Sequence, residues 1–203
     1  MTTVLLTCFE PFDGRPVNAS AAAVERVVQS WSGPGRLVTA QLPVSFAQAP
    51  ARLADAVAAH APDLVVCVGE AARAAVGLER VAVNVADARI ADNDGSTPCD
   101  EPLAADGPAA YFTSLPLRRC LAAAQASGIP VEVSDTAGAY VCNATFYALM
   151  HLLSQQPTVT GGFVHVPLTP DQAGDGRPSL SSDDAGTALA AVVRAALAEV
   201  SPA

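Results

Sequence analysis

The 203-residue sequence contains no lysine, so all 11 of its basic residues are arginine. Pyridoxal enzymes and Schiff-base aldolases form an imine on a lysine amine, and a P-loop contacts its nucleotide phosphates with a lysine. The missing amine therefore excludes these classes. It also excludes amidases that use a Glu-Lys-Cys triad.

Charged residues are scarce as well, at 15% of the chain, and acidic residues outnumber basic ones to give a formal net charge of -9. Nucleic-acid binding requires a basic surface, and a surface of this charge repels phosphates and acidic membranes. Hydrophobic residues make up 51% of the chain, which is enough for a full core. We therefore predict one soluble domain over residues 1–203, with no nucleic-acid or membrane partner.

No apolar run approaches the length of a membrane span, and the first ten residues lack the features of a signal peptide. The five cysteines, at positions 8, 67, 99, 120 and 142, are odd in number and not closely paired, which argues against a disulfide framework. A reducing cytoplasm is the simplest location. No Cys or His spacing suggests zinc, and residues 92–101 match only part of a calcium loop, so no metal is expected.

Strand-like and helix-like segments alternate along the chain. Short apolar runs between turn residues predict buried strands, and apolar residues at helical spacing predict helices. We expect strands at 4–6, 36–44, 63–69, 80–87, 131–134 and 162–166, and helices after Asn18 and at 47–60, 116–127, 146–153 and 182–200. Residues 88–108 predict an ordered loop. This alternation indicates an α/β fold with a mostly parallel sheet covered by helices on both faces.

One cysteine lies in a segment that suits a nucleophile. Residues 134–143 (SDTAGAYVCN) join a strand to a helix through a turn that contains glycine, which places Cys142 near the helix N-terminus. The helix dipole and the free N–H groups there favour a thiolate and can stabilise an oxyanion. Taken alone, the segment is also compatible with a buried structural cysteine.

A cysteine nucleophile needs a base, and the chain offers His60, His151 and His165. His60 ends an amphipathic helix, and His151 lies in the helix after Cys142 and points elsewhere. His165 closes a strand, where α/β sheets often place catalytic groups. Glu79 lies at the mouth of another strand, directly before residue 80, and can orient the imidazole. Taken alone, the histidine is also compatible with a structural role and the glutamate with a surface ion pair.

Four segments of the chain carry a family resemblance. They are TCFEPF at 7–12 with Asn18, ERVAVN at 79–84 with DARI at 87–90 and DNDG at 92–95, SDTAGAYVCN at 134–143, and GFVHVP at 162–167 with TPDQ at 169–172. Together, and in this order, they resemble the motifs of the pyroglutamyl peptidase I (pyrrolidone carboxyl peptidase) family of cysteine peptidases. The resemblance implies a three-layer α/β/α sandwich with a mostly parallel, mixed sheet, a homotetramer and no cofactor. Its implied substrates are peptides with an N-terminal pyroglutamate, hydrolysed through a thioester.

The same resemblance implies a role for each site residue. Cys142 is the nucleophile, His165 the general base and acid, and Glu79 the residue that orients the imidazole. Arg89 is expected near the thiolate, where its charge favours ionisation. The pyroglutamyl pocket is expected to be formed by Phe9, Phe12, Ile90, Tyr140 and Val141. A flat, uncharged lactam suits such an aromatic slot.

The chain departs from the family pattern at three places. Cys8 and Asp13 stand where glycine is usual, and residues 69–73 are one residue shorter than the usual Gly-Gln-Ala-Gly-Gly-Arg. Glu70 thereby replaces a glutamine that contacts the lactam in many members. An ionised carboxylate accepts hydrogen bonds but donates none. The sequence therefore predicts that Glu70→Gln lowers the Michaelis constant about tenfold, unless Glu70 turns into solvent.

Two alternatives stay open from the sequence. The first is a catalytically weak or silent homologue that keeps the pocket and binds pyroglutamyl-like ligands. The second is another cysteine amidase, which acts on a different lactam or on a γ-glutamyl substrate. Turnover of a pyroglutamyl-coumarin substrate separates these alternatives from the peptidase.

Overall fold

The computed structural model describes residues 2–174 and 176–200. Strands and helices alternate over most of this part of the chain, as an α/β fold requires. In chain order the elements are β1 (Thr3–Phe9), α1 (Ala19–Ser30), β2 (Arg36–Leu42), α2 (Gln48–His60), β3 (Leu64–Ala71), β4 (Val76–Glu79), β5 (Val81–Val83), β6 (Ala110–Phe112), α3 (Leu117–Gln125), β7 (Val131–Ser134), α4 (Val141–Leu153), β8 (Thr160–Pro167), α5 (Pro170–Ala173) and α6 (Ser182–Val200).

Six strands form the central sheet in the order β2-β1-β3-β8-β4-β7. The first four of these run parallel to one another. Strand β4 is antiparallel to β8, and β7 is parallel to β4. The sheet is therefore mixed and mostly parallel, which confirms the predicted fold class.

Helices cover both faces of this sheet. One core lies between the sheet and α1, α3 and α6, and it includes Leu6, Val24 and Leu189. The other lies between the sheet and the helices α2 and α4, and it includes Leu5 and Phe146. Leu5 and Leu6 belong to different cores because successive side chains of a strand point to opposite faces. The result is a three-layer α/β/α sandwich. Among the described residues, no helix combines the length and hydrophobicity that a bilayer-spanning segment needs.

The strand predicted at 80–87 is too long, because only Val81–Val83 form a strand there, β5. No strand is predicted at Val76–Glu79, which forms β4 of the central sheet, whereas β5 pairs with β6 in a separate two-stranded sheet. Arg80 itself lies between the two sheets. Its N–H donates to Ser134 O at the end of β7, and its carbonyl accepts from the N–H of Thr113, the residue after β6. The apolar residues change phase here, from Val76 and Leu78 to Val81 and Val83. The pattern therefore marks a break but does not show which strands pair.

The predicted loop at 88–108 is present, and Asp92 orders one part of it. Its buried carboxylate accepts hydrogen bonds from the backbone N–H groups of Phe46, Asp94 and Ser96, at 2.8 to 3.0 Å. These bonds occupy the oxygens that a calcium loop would use. Across residues 2–174 and 176–200, no group of three or more His, Cys, Asp or Glu side chains is arranged to hold a metal ion.

Helix α2 ends on a strained residue. Ala61, at the C-cap, has φ of 42°, in the left-handed region that favours glycine. Because its side chain is exposed, we expect Ala61→Gly to raise the free energy of unfolding by about 0.5–1 kcal/mol. Ala54→Gly, at an exposed position inside α2, is the matched control and should lower that free energy by about 1 kcal/mol. Urea denaturation measures both; equal losses in the two proteins would contradict the assignment of strain to Ala61.

Candidate active site

A cavity of about 610 Å³ lies where the ends of β1, β3 and β8 meet the N-terminus of α4. It is lined by all of the site residues expected from the sequence except Glu79: Phe9, Phe12, Glu70, Arg89, Ile90, Tyr140, Val141, Cys142 and His165. Glu79 is fully buried and contacts His165. The fold thus brings segments from the whole length of the chain to one place.

Cys142 is the second residue of α4. The N-cap residue Tyr140 makes no side-chain capping bond, so the first N–H groups of the helix have no side-chain partner from their cap. The Cys142 sulfur approaches Gly69 of β3 closely. A Cβ atom at position 69 would stand 2.8 Å from Cys142 Sγ and 2.8 Å from Phe163 Cζ. Glycine at this position therefore allows the thiol to reach the strand.

His165 stands opposite Gly69 in the register of the parallel pair β3 and β8, and it is 3% exposed. Gly69 thus adjoins both the Cys142 sulfur and the strand residue that carries the imidazole. The remaining histidines do not line the cavity. His151 has its Nδ1 atom 2.8 Å from the Tyr111 hydroxyl, on the outward side of α4.

Glu79 is the last residue of β4, and its Oε1 atom lies 2.7 Å from His165 Nδ1. Gly77 is opposite His165 in the antiparallel pair β4 and β8, so Glu79 reaches the imidazole diagonally across the two strands. Because β4 runs against β8, Glu79 and His165 reach each other from strands of opposite direction. A proton on Nδ1, donated to the carboxylate, leaves Nε2 as the acceptor of the imidazole.

Arg73 is a site residue that the sequence analysis does not identify. Its Nη1 atom donates to Glu79 Oε1 and to Ser134 Oγ, both at 2.8 Å, and its Nη2 atom donates to Thr136 O at 2.7 Å. The buried carboxylate of Glu79 therefore has a cation beside it, without which burial would disfavour its charge. The only sequence feature that points to Arg73 is its place at the end of the family's glycine-rich segment. No pattern in the neighbouring residues links it to Glu79.

The electrostatics of Cys142 differ from the expectation of a stable thiolate. Burial, followed by the negative charges of Glu70 and Glu79, raises the pKa of the Cys142 thiol to about 12. Arg73 is the cation that lowers this pKa. Arg89, which was expected in that role, is exposed and lines the cavity. This environment disfavours a standing thiolate, so the thiol needs a base to take its proton.

Aromatic side chains form one wall of the cavity. The Tyr140 ring packs against Phe12 at 6.2 Å between centroids and edge-to-face against Phe46 at 5.3 Å. Phe9 is 2% exposed and lies 6.4 Å from the ring of Phe163. Phe46 and Phe163 support this wall, and the sequence does not distinguish them from ordinary core residues.

The three departures from the family pattern have separate structural consequences. Asp13 has φ of 55°, a conformation that glycine adopts at lower cost and that aspartate tolerates better than most residues. Cys8 is buried, burial raises the pKa of its thiol to about 11, and it does not line the cavity. Glu70 does not turn into solvent: its side chain is 5% exposed and lines the cavity.

The family model, the related sequences and the solved structures that match this chain all belong to one family. The family model described as pyroglutamyl peptidase matches residues 2–199. The pyrrolidone-carboxylate peptidase of Clavibacter michiganensis subsp. michiganensis is 50% identical over 200 residues, covering 98% of this chain and 94% of that protein. That of Cupriavidus necator is 47% identical over 202 residues, covering 97% and 94%. The solved structure of Bacillus amyloliquefaciens pyroglutamyl peptidase I has a TM-score of 0.94 and 42% identity over 100% of both chains. That of the Thermococcus litoralis pyrrolidone carboxyl peptidase has a TM-score of 0.92 and 33% identity, covering 98% of this chain and 94% of that one.

Proposed function

This chain belongs to the pyroglutamyl peptidase family, and we propose that it is a cysteine peptidase that hydrolyses the amide bond after an N-terminal pyroglutamyl residue. The observation that carries the proposal is the coupling of His165 to Glu79 at 2.7 Å, beside the cavity that Cys142 also lines. A nucleophile, a base and a group that orients the base are the parts that covalent catalysis by a thiol requires.

The first half of the reaction forms a thioester. His165 Nε2 takes the proton of the Cys142 thiol as the sulfur attacks the carbonyl carbon of the pyroglutamyl residue. Because burial raises the pKa of this thiol, the attack depends on a base, and His165 is that base. The Glu79 carboxylate stabilises the imidazolium, and the N–H groups at the start of α4 donate to the oxyanion. His165 then protonates the leaving amine, and the C–N bond breaks.

The second half hydrolyses the thioester. With the peptide gone, neutral His165 takes a proton from a water molecule, which attacks the thioester carbonyl. The C–S bond breaks, the sulfur recovers a proton from His165, and pyroglutamate leaves. The aromatic wall around Phe12 and Tyr140 suits a flat ring without charge. The proposed substrates are therefore peptides whose N-terminus is closed as a lactam.

We also propose that residues 1–203 act as one domain, in a homotetramer in a reducing cytoplasm. Both cores pack on the same sheet, which supports a single folding unit. The tetramer is the assembly that the family resemblance implies. The described cysteines are all free, as a thiol-dependent reaction requires. Light scattering after size-exclusion chromatography tests the oligomer.

Release of coumarin from pyroglutamyl-coumarin tests the proposed function. Prolyl-coumarin, which has the same ring size without the lactam carbonyl, and alanyl-coumarin are the matched substrates. We expect turnover of the pyroglutamyl substrate only. Binding of that substrate without turnover would favour the silent homologue, and faster turnover of a γ-glutamyl substrate would favour the other amidase.

Arg73→Met is expected to move the pH profile of kcat to higher pH. Arg73 is the cation that lowers the pKa of the Cys142 thiol. Without it that pKa should rise further, because the negative charges of Glu70 and Glu79 remain. The thiol then ionises at higher pH, so the rise of kcat with pH should move to higher pH. Steady-state kinetics over a range of pH measures the shift.

Two further variants serve as controls for this prediction. Arg73→Lys keeps the charge but not the planar fork, so its pH profile should stay close to that of the wild type even if kcat falls. Arg80→Met removes an arginine that pairs with Asp135 at an exposed position, where ion pairs contribute little. An Arg73→Met profile that coincides with the Arg80→Met profile would contradict the role of Arg73.

A further inference from the structure

The carboxylate of Glu70 receives three hydrogen bonds. Its Oε2 atom accepts from the backbone N–H of Ala19 at 2.7 Å and from Gln172 Nε2 at 2.8 Å. Its Oε1 atom accepts from Arg15 Nη1 at 3.2 Å. A carboxylate offers about four acceptor positions. One position on Oε1 is therefore still available, beside the Arg15 guanidinium.

The two donors on Oε2 are held in place by the fold. Ala19 is the first residue of α1, so its N–H is one of the unpaired groups at a helix N-terminus, where the dipole favours a negative charge. Gln172 forms a capping box with Thr169, and its Nε2 atom also donates to Val17 O at 3.0 Å. These contacts fix the orientation of the Glu70 carboxylate. They also direct Oε1 to Arg15.

Glu70 lies close to the nucleophile. It follows Gly69, the residue that Cys142 Sγ contacts. Among the neighbouring negative charges, that of Glu70 has the largest effect in raising the pKa of Cys142. Both Glu70 and Arg15 line the cavity. The ring nitrogen of a pyroglutamyl residue is only two bonds from the carbon that the sulfur attacks, so the polar edge of the ring must lie near these two side chains.

Arg15 is placed to donate into the cavity. Its side chain is 28% exposed, and its Cζ atom lies 5.8 Å from the centroid of the Phe12 ring in the aromatic wall. A guanidinium has five N–H donors in a fixed fork, and Glu70 takes one of them. The other charged residues of the cavity do not offer such a pair: Arg73 is bound to Glu79, while Asp13, Asp87 and Arg89 are exposed.

We propose that Arg15 and Glu70 together determine specificity for the lactam ring: Glu70 Oε1 accepts the ring N–H, and Arg15 donates to the ring carbonyl. This inference rests on the function proposed above. A five-membered lactam presents its N–H and its C=O on the same edge, and the carboxylate and guanidinium present an acceptor and a donor side by side. The ion pair thus supplies both hydrogen bonds that a single amide side chain would supply.

The pair reverses the effect expected of Glu70→Gln from the sequence. That expectation holds for a carboxylate without a donor beside it, whereas here Arg15 supplies the donor. A glutamine must turn its oxygen to Ala19 and Gln172, which are both donors. Its NH₂ group then faces Arg15 and the ring N–H, neither of which can accept. We therefore expect Glu70→Gln to raise KM about tenfold, with a smaller change in kcat.

Two small ring ligands separate the proposed contacts. 2-Pyrrolidone carries both the N–H and the carbonyl, whereas cyclopentanone carries the carbonyl alone on a ring of the same size. Affinities are measured by ligand-observed NMR on the Cys142→Ala protein, which needs no turnover. Glu70→Gln should weaken 2-pyrrolidone binding about tenfold and leave cyclopentanone binding unchanged, and Arg15→Met should weaken both about tenfold.

Matched surface variants and a fold check complete the experiment. Arg52→Met and Glu132→Gln remove the same groups at exposed positions outside the cavity and should leave both affinities unchanged. Circular dichroism verifies the fold of Arg15→Met. If this folded variant bound both ligands with unchanged affinity, the inference would be overturned. If Glu70→Gln does not fold, the Arg15→Met result alone tests the inference. The proposed function would stand in that case, because it is tested by turnover of pyroglutamyl-coumarin. Absence of that turnover in the wild type would instead defeat the proposed function.

Discussion

Cys142→Ser is expected to lower kcat for a pyroglutamyl substrate by about 10⁴-fold or more, as the loss of a nucleophile does in enzymes of this kind. The serine oxygen is a weaker nucleophile than sulfur, and its shorter bond to Cβ places it farther from the substrate carbonyl. The Cys142 sulfur packs against Gly69, where any side chain would collide with it. Steady-state kinetics with pyroglutamyl-coumarin measures the loss.

The other cysteines provide the controls for this prediction. Cys99 is exposed, so Cys99→Ser should keep the wild-type kcat. Burial raises the pKa values of the Cys67 and Cys120 thiols to about 12 and about 11. Serine at either of these positions should affect stability, because it buries a hydroxyl, and should not remove the nucleophile. A Cys142→Ser protein with the wild-type kcat would rule out the proposed mechanism.

Glu79→Gln is expected to lower kcat by about 10³- to 10⁴-fold, as the corresponding amide change does in a Ser-His-Asp triad. The amide oxygen can still accept from His165 and Arg73, but it carries no charge to stabilise the imidazolium. Its NH₂ group takes the place of Glu79 Oε2, a buried atom without a hydrogen-bond partner among the described residues. The alternative orientation of the amide turns NH₂ toward His165 Nδ1 and forces the wrong tautomer.

A neighbouring glutamate gives the matched control. Glu132 is an exposed residue of β7, the strand beside β4, so Glu132→Gln should leave kcat unchanged. Circular dichroism verifies the fold of each variant before its kinetics are measured. If folded Glu79→Gln turned over substrate as fast as Glu132→Gln, Glu79 would have no part in catalysis.

The layers of the fold are predictable because strong local patterns produce them. The apolar run of β3 and the helical spacing of α2 are each within two residues of their predicted bounds. The division at Arg80 is not predictable in this way, since it depends on which strands pair: β4 joins β7 and β8, while β5 joins β6. Such pairings join residues far apart in the chain, so a local pattern cannot identify the partners of each strand.

In the candidate site, too, local patterns do not predict contacts between residues far apart in the chain. Cys142 and His165 lie in continuous motifs at the start of a helix and near the end of a strand, so their positions can be read from the sequence. Arg73 and Arg15 act through distant partners. Arg73 bonds to Ser134, 61 residues away, and Arg15 bonds to Glu70, 55 residues away. No local pattern predicts which of the 11 arginines the fold places beside a buried carboxylate.

The most direct test of the proposed chemistry is detection of the thioester on Cys142. Wild-type protein is mixed with pyroglutamyl-coumarin, quenched with acid within the first turnover and analysed by intact-mass spectrometry and peptide mapping. We expect a mass increase of one pyroglutamyl group, confined to the peptide that contains Cys142 and absent from the Cys142→Ser protein. Rapid coumarin release with the pyroglutamyl group on a different residue would contradict Cys142 as the nucleophile.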